Sequence, residues 1–177
     1  GLGGSRLGSH RVRAGLTGPD PARMDLVLAL VCDEARVDSE GKLHVQGAFN
    51  DLYAPGFPAK QERMVLVLVL EWDRADHGRY QFVVDLVGPG GTPSLTLRGH
   101  SDVDARSGDR PPARTRLLMP LENVVFPEPG PYRFKIRMKG RELEGPAVHV
   151  VRSEPASETA AGVGREPLAP EGGSGGS

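Results

Sequence analysis

The sequence predicts an all-β protein, a single antiparallel β-sandwich of about seven to nine strands. Apolar side chains recur at every second position in short segments, which is the period of a half-buried strand rather than of a helix. Clusters of glycine and proline separate these segments at intervals of about 8 to 15 residues, as in sandwiches. An immunoglobulin-like topology fits this spacing, and a small β-barrel is the alternative.

Composition divides the chain of 177 residues into one domain and two tails. Residues 1–23 are rich in Gly, Ser, Arg and Pro, and residues 153–177 in Ala, Gly, Pro and Glu, without apolar periodicity. Such segments bury too little apolar surface to offset chain entropy, so we expect both tails to be disordered. The β-sandwich domain is therefore expected at residues 24–152.

Charge, apolar runs and cysteine content limit the partners and the location of the protein. The formal net charge is −1, so the overall charge does not favour nucleic acid. The longest apolar runs, 26–32 and 64–70, fall well short of the roughly 20 residues that a membrane helix requires. Cys32 is the one cysteine, which excludes an intrachain disulfide and fits a reducing compartment. We expect a soluble, cytoplasmic protein with no membrane partner.

The first half of the domain reads as a hairpin followed by a central strand. Residues 26–35 and 42–49 are predicted to pair through a turn at 38–41. The Pro-Gly-Phe-Pro segment at 55–58 is expected to break the chain. The run 64–70 has no polar residue, which predicts a strand buried on both faces.

The second half continues with three strands and a final hairpin. Strands are predicted at 80–86, 95–103 and 114–121, and the third is expected to end at Pro120 or shortly after it. A polar loop occupies 106–112. In the final hairpin, the residues predicted to face inward are Tyr132, Phe134, Ile136 and Met138, and the turn that follows is at Gly140.

Tyr132 also fits a tyrosine corner. In this motif a tyrosine starts a late strand, and its hydroxyl bonds back to the preceding loop. The segment 130–134 has the required order of glycine, tyrosine and a following core residue. We therefore predict a structural role for Tyr132, which favours a sandwich over a barrel.

Four motifs occur in order along the domain: Val31-Cys32-Asp33-Glu34-Ala35-Arg36, Gly41-Lys42-Leu43, Gly47-Ala48-Phe49 and Phe126-Pro127-Glu128-Pro129-Gly130-Pro131-Tyr132-Arg133-Phe134. Together they resemble a family of small uncharacterised bacterial β-domains. Members of that family begin with a Cys-Asp-Glu strand, a Gly-Lys-Leu hairpin and a Gly-x-Phe, and end with a Phe-Pro-x-Pro-Gly-x-Tyr-x-Phe hairpin. The resemblance covers nearly all of residues 24–152. It implies a shared fold and a bacterial origin, and it implies no activity.

No residue pattern points to nucleophilic catalysis. Residues 172–176 match Gly-x-Ser-x-Gly, but a nucleophile elbow requires a strand before it and a helix after it. The apolar surroundings of Cys32, together with Asp33 and Glu34, are expected to raise the pKa of its thiol. We interpret Cys32 as a buried structural thiol. The sequence leaves enzymatic activity uncertain and leans against it.

The candidates for metal binding are few, and no metal or cofactor is predicted. The weak candidates are the loop carboxylates Asp102, Asp104 and Asp109, because Ca²⁺ prefers oxygen ligands. Arg106 and Arg110 in the same loop would oppose a cation. The histidines His44, His77, His100 and His149 show no zinc-binding spacing.

The sharpest surface feature is a basic stripe on one predicted strand, formed by Arg133, Lys135, Arg137 and Lys139. It is either a surface for an acidic partner or phosphates, or a solvated sheet face paired with Glu142 and Glu144 on the return strand. We favour the solvated face. The stripe lacks interleaved aromatic residues, so stacking on nucleic-acid bases has no support.

Three functions remain open. We prefer a non-enzymatic protein-interaction or scaffold module, because turn and core positions account for most of the recognisable residues. The first alternative is an enzyme whose site assembles from the loop carboxylates Asp73, Asp76, Asp102 and Asp104. The second is a structural component that self-assembles through strand edges. The expected partner is accordingly an unknown protein or a second copy of this chain.

Overall fold

A computed structural model describes residues 23–154. Nearly all of both predicted tails, and the Gly-x-Ser-x-Gly segment at 172–176, lie outside the described residues. The regular elements within residues 23–154 are the strands β1 (Met24–Val37), β2 (Leu43–Phe49), β3 (Asp51–Ala54), β4 (Ala59–Trp72), β5 (Gly78–Val87), β6 (Pro93–Val103), β7 (Arg114–Phe126), β8 (Gly130–Met138) and β9 (Arg141–Arg152). Nowhere in that range is there a helix able to cross a membrane.

The nine strands form two sheets. The four-stranded sheet has the order β2-β1-β4-β7, and the five-stranded sheet has the order β3-β9-β8-β5-β6. The pairing of β3 with β9 is parallel, and the other pairings are antiparallel. The predicted all-β sandwich class is confirmed.

The main core lies between the two sheets. The four-stranded sheet contributes alternate residues of β4, namely Met64, Leu66, Leu68, Leu70 and Trp72. The five-stranded sheet contributes the predicted inward face of β8, namely Tyr132, Phe134, Ile136 and Met138. Val65 and Val67 form a second buried cluster with Cys32. The prediction that residues 64–70 are buried on both faces is therefore confirmed.

Two features of the chain differ from the sequence prediction. Strand β7 does not end at Pro120 but continues to Phe126. Proline is tolerated there because β7 is an edge strand, where a missing N–H costs no bond to an outer neighbour. The prediction also missed the short strand β3, which follows β2 after Asn50. This stretch leaves one sheet and joins the other, as strands at sandwich corners do.

The predicted tyrosine corner is confirmed. The Tyr132 hydroxyl donates to the backbone carbonyl of Glu128 at 2.8 Å and accepts from the Glu128 N–H at 3.2 Å. Its ring packs edge-to-face against Phe126, with ring centroids 4.9 Å apart. The corner therefore joins the loop before β8 to the core.

Removing the corner hydroxyl should weaken the fold. We expect Tyr132→Phe to lower the free energy of unfolding by about 1 kcal/mol, because both Glu128 backbone groups lose their partner. Urea denaturation of the full chain measures this change. The control is Tyr53→Phe, since Tyr53 is 69% exposed and should tolerate the change. Equal stability of the two variants would contradict a stabilising corner.

Candidate functional site

Three of the four cations in the predicted basic stripe lie on the exposed outer face of the five-stranded sheet, where a carboxylate on a neighbouring strand lies within 4 Å of each. The pairs are Arg137 with Asp85 at 2.9 Å, Lys135 with Glu142 at 3.6 Å and Arg133 with Glu144 at 3.9 Å. The cross-strand acids offset much of the positive charge of this face. The outer face is therefore a mixed-charge surface rather than a free basic stripe.

Lys139 does not lie on that face, so its assignment to an exposed stripe is wrong. Its side chain and that of Asp76 are each only 5% exposed. The Lys139 ammonium donates to both carboxylate oxygens of Asp76, at 2.8 and 2.6 Å, and to the backbone carbonyl of Arg23 at 3.0 Å. Each of the three ammonium hydrogens thus has an acceptor.

The surroundings of this ion pair complete a structural network. The Asp76 carboxylate also accepts from the Tyr80 hydroxyl at 3.1 Å and from the Asp73 N–H at 2.9 Å. The rings of Trp72 and Tyr80 lie 6.0 and 5.7 Å from the Lys139 ammonium. The network joins the start of β1, the β4–β5 loop and the β8–β9 turn, which explains why these charged groups are buried.

The loop carboxylates do not assemble into one site. Asp102 accepts from Arg79 at 2.9 Å, and this hydrogen bond lowers the pKa of the Asp102 carboxyl. Asp109 accepts from the Ser107 hydroxyl at 2.9 Å, and Asp104 is exposed. Within residues 23–154, no group of three or more His, Cys, Asp or Glu side chains is arranged to hold a metal ion.

A cleft forms where the four-stranded sheet divides. The pairing of β1 with β4 ends at Cys32 and Val65. Beyond this point β1 continues to pair with β2, and β4 continues to pair with β7. We call the space between the two diverging strand pairs the fork cleft. Residues 33–37 of β1 and 59–63 of β4 have no strand partner across it within the described chain.

The fork cleft is open and has a volume of about 500 Å³, within the range of ligand-binding clefts. Residues from three strands line it: Glu34, Ala35 and Arg36 of β1, His44, Val45 and Gln46 of β2, and Arg63 of β4. The two arginines outnumber the one glutamate, so the lining has a formal positive charge. It combines charged groups with the apolar side chains of Ala35 and Val45.

The charged groups that line the fork cleft differ in whether they bond to other side chains. His44 lies 2.6 Å from the carboxylate of Asp38. That hydrogen bond, together with the backbone N–H of Lys42, lowers the pKa of Asp38. The side chains of Glu34, Arg36 and Arg63 make no hydrogen bond or ion pair with another of residues 23–154. No group in the described part of the chain therefore occupies either guanidinium, and a ligand can bind them without displacing one.

Cys32 lies at the base of the fork. Its buried thiol is 3.3 Å from the carbonyl oxygen of Glu34 and 3.8 Å from that of Val65, where the β1–β4 ladder ends. Burial and the charge of Asp33 raise the pKa of the thiol, as predicted, but the Glu34 carboxylate does not contribute to this rise. The nucleophilic thiolate is therefore disfavoured. The contacts of the thiol are to backbone carbonyls of β1 and β4, which fits a structural role.

Sequence reasoning did not predict the fork cleft. Its walls come from three strands, and its opening depends on where the β1–β4 pairing stops. The residues were nevertheless prominent, since the motif from Cys32 to Arg36 that carried the family resemblance forms the base and one wall. Arg63 was not predicted as a site residue, because it is one of several charged residues that precede the apolar run of β4.

The fold and the cleft define a nine-stranded β-sandwich domain with one divided sheet. A model of DUF6941, a family of unknown function, matches residues 27–151. The match covers most of the chain, so the chain belongs to this family. The resemblance to an uncharacterised family is thereby confirmed. The comparison with curated proteins gave no match.

Proposed function

We propose that this domain is a non-catalytic protein-binding module that takes an extended segment of a partner protein into the fork cleft. The observation that carries the proposal is the presence of two strand edges, residues 33–37 and 59–63, to which no strand of residues 23–154 pairs across the cleft. Unpaired edges present rows of backbone N–H and C=O groups. An extended segment that adds as a strand satisfies those groups, and adjacent pockets select its side chains.

The lining of the cleft supports this mode of binding. Val45 is 37% exposed and offers apolar contact beside the small side chain of Ala35. Glu34, Ala35 and Arg36 are consecutive on β1, so a segment added to that edge would meet side chains along its length. We therefore infer that the partner segment pairs with the free edge of β1.

An enzyme based on the loop carboxylates has less support. The negative charge of Asp76 is balanced by Lys139 in a buried pair, and Asp102 is bonded to Arg79. Carboxylates held in this way are poorly suited to proton transfer or metal binding.

We also propose that the strands of the five-stranded sheet are arranged as in an immunoglobulin-like domain. In that arrangement strands G, F and C are neighbours, and variable-type domains add strands beyond C. Strands β9, β8 and β5 have this order, and β6 follows at the edge. The corner residue Tyr132 lies near the start of β8, the position that the motif takes in strand F. Such sandwiches commonly bind through loops and sheet edges.

Filling the cleft should abolish partner binding. We would select linear peptides from a displayed random library on the full chain and measure the affinity of an enriched peptide by fluorescence anisotropy. Ala35→Trp should weaken that affinity at least about tenfold, because the indole occupies the cleft. The matched control is Ala105→Trp in the exposed loop after β6, which should bind normally.

Ala35 is half-buried, so the unfolding midpoint of its variant must be measured alongside binding. If Ala35→Trp unfolds, Val45→Lys tests the same cleft from an exposed position, with Val125→Lys on the edge strand β7 as its control. Unchanged affinity in the folded cleft variants would place binding elsewhere and refute the proposal. A library that yields no binding peptide would also refute it.

A further inference from the structure

We propose that the fork cleft selects a partner segment by one acidic side chain, whose carboxylate is bound by Arg36 and Arg63. The inference rests on the proposed function and specifies its ligand chemistry. Arg36 belongs to β1 and Arg63 to β4, the two strands that diverge, and both line the cleft. A carboxylate bound in the cleft would thus be held by one guanidinium group from each of the two strands.

Arginine suits this role because its planar group presents paired N–H donors that match the two oxygens of a carboxylate. Neither Arg36 nor Arg63 has a carboxylate partner among the described residues. The cations on the outer face of the five-stranded sheet differ, since Arg133, Lys135 and Arg137 each have one within 4 Å. An acidic ligand would displace an existing partner there, whereas the cleft requires no such exchange.

Glu34 restricts the ligand further. It lines the same cleft and forms no ion pair with either arginine. Its carboxylate would repel a second negative charge, so a run of acidic residues should bind less well than a single acidic residue among neutral ones. The same repulsion disfavours nucleic acid, which places a negative charge on every nucleotide. The ligand is therefore an extended peptide segment with an isolated aspartate or glutamate.

The experiment uses the same displayed library on the full chain and reads the sequences that it enriches. We expect an isolated Asp or Glu at a constant position. Replacing that residue by its amide in a synthetic peptide should weaken binding at least about tenfold. Arg36→Glu combined with Arg63→Glu should lose the acidic peptides and enrich peptides with Lys or Arg at that position.

The matched control is Arg98→Glu combined with Arg116→Glu. Both arginines are exposed and unpaired among residues 23–154, and neither lines the fork cleft. This control should keep the acidic preference. Two results would overturn this inference and leave the proposed function standing. The first is enrichment of peptides without an acidic residue, and the second is continued binding of acidic peptides to the variant with Arg36→Glu and Arg63→Glu. A library without any binder would overturn the proposed function itself, and the inference with it.

Discussion

Replacing Lys139 by methionine should lower the free energy of unfolding by about 3–5 kcal/mol. The Asp76 side chain is only 5% exposed, and the substitution removes the cationic partner of its carboxylate. Tyr80 and the Asp73 N–H would still bond to it, but they cannot balance a buried charge. Urea denaturation of the full chain measures the loss.

Two controls separate the ion pair from other effects. Lys135→Met removes a half-exposed lysine that lies 3.6 Å from Glu142, and it should cost no more than about 1 kcal/mol. Lys139→Asn suits the turn backbone better, because Lys139 has a φ of 54° and Asn-Gly is preferred in such hairpin turns. It should nevertheless destabilise the protein. A more stable Lys139→Asn variant would show that the ion pair contributes little.

The second large effect is expected in the core. Phe134→Ala should lower the free energy of unfolding by about 3–5 kcal/mol, because it removes buried apolar surface and leaves a cavity. Phe134 is fully buried on β8, opposite Leu86 of β5. Strands on both sides hold β8 in place, so the sheet cannot collapse into the space.

The matched control for this substitution is Phe57→Ala. Phe57 is half-buried near the sandwich surface, and Arg152 lies 5.2 Å from its ring. Its replacement should cost clearly less, since less apolar surface is removed and water fills the space. Similar losses of stability for the two variants, measured by the same denaturation, would contradict the position of Phe134 in the core.

Strand β8 was predicted correctly from the sequence and the end of strand β7 was not, for a physical reason. The inward face of β8 was predicted because alternate side chains of a strand point to opposite faces, a property of the local backbone. The end of β7 was predicted wrongly at or just after Pro120, because proline stops a central strand but is accepted at an edge. Nothing near Pro120 in the sequence indicates that β7 has one neighbour.

The positions of the charged residues of β8 were also predicted correctly, but the position of the next lysine, in the turn, was not. Arg133, Lys135 and Arg137 lie on the outer face, as their alternation predicted, and Glu142 and Glu144 pair across the hairpin. Lys139 continues the alternation in the sequence, but it occupies the turn after β8, where the backbone changes direction. Its burial depends on Asp76, 63 residues away, and on the rings of Trp72 and Tyr80.

The all-β class, the burial of both faces of β4 and the corner at Tyr132 could be predicted from the amino-acid sequence. These features depend on side-chain periodicity, on composition within one strand and on contacts between near neighbours in the chain. The strand order, the Asp76–Lys139 pair and the fork cleft became visible in the three-dimensional structure. Each of these arises where segments distant in sequence meet or part, as β1 and β4 do beyond Cys32 and Val65.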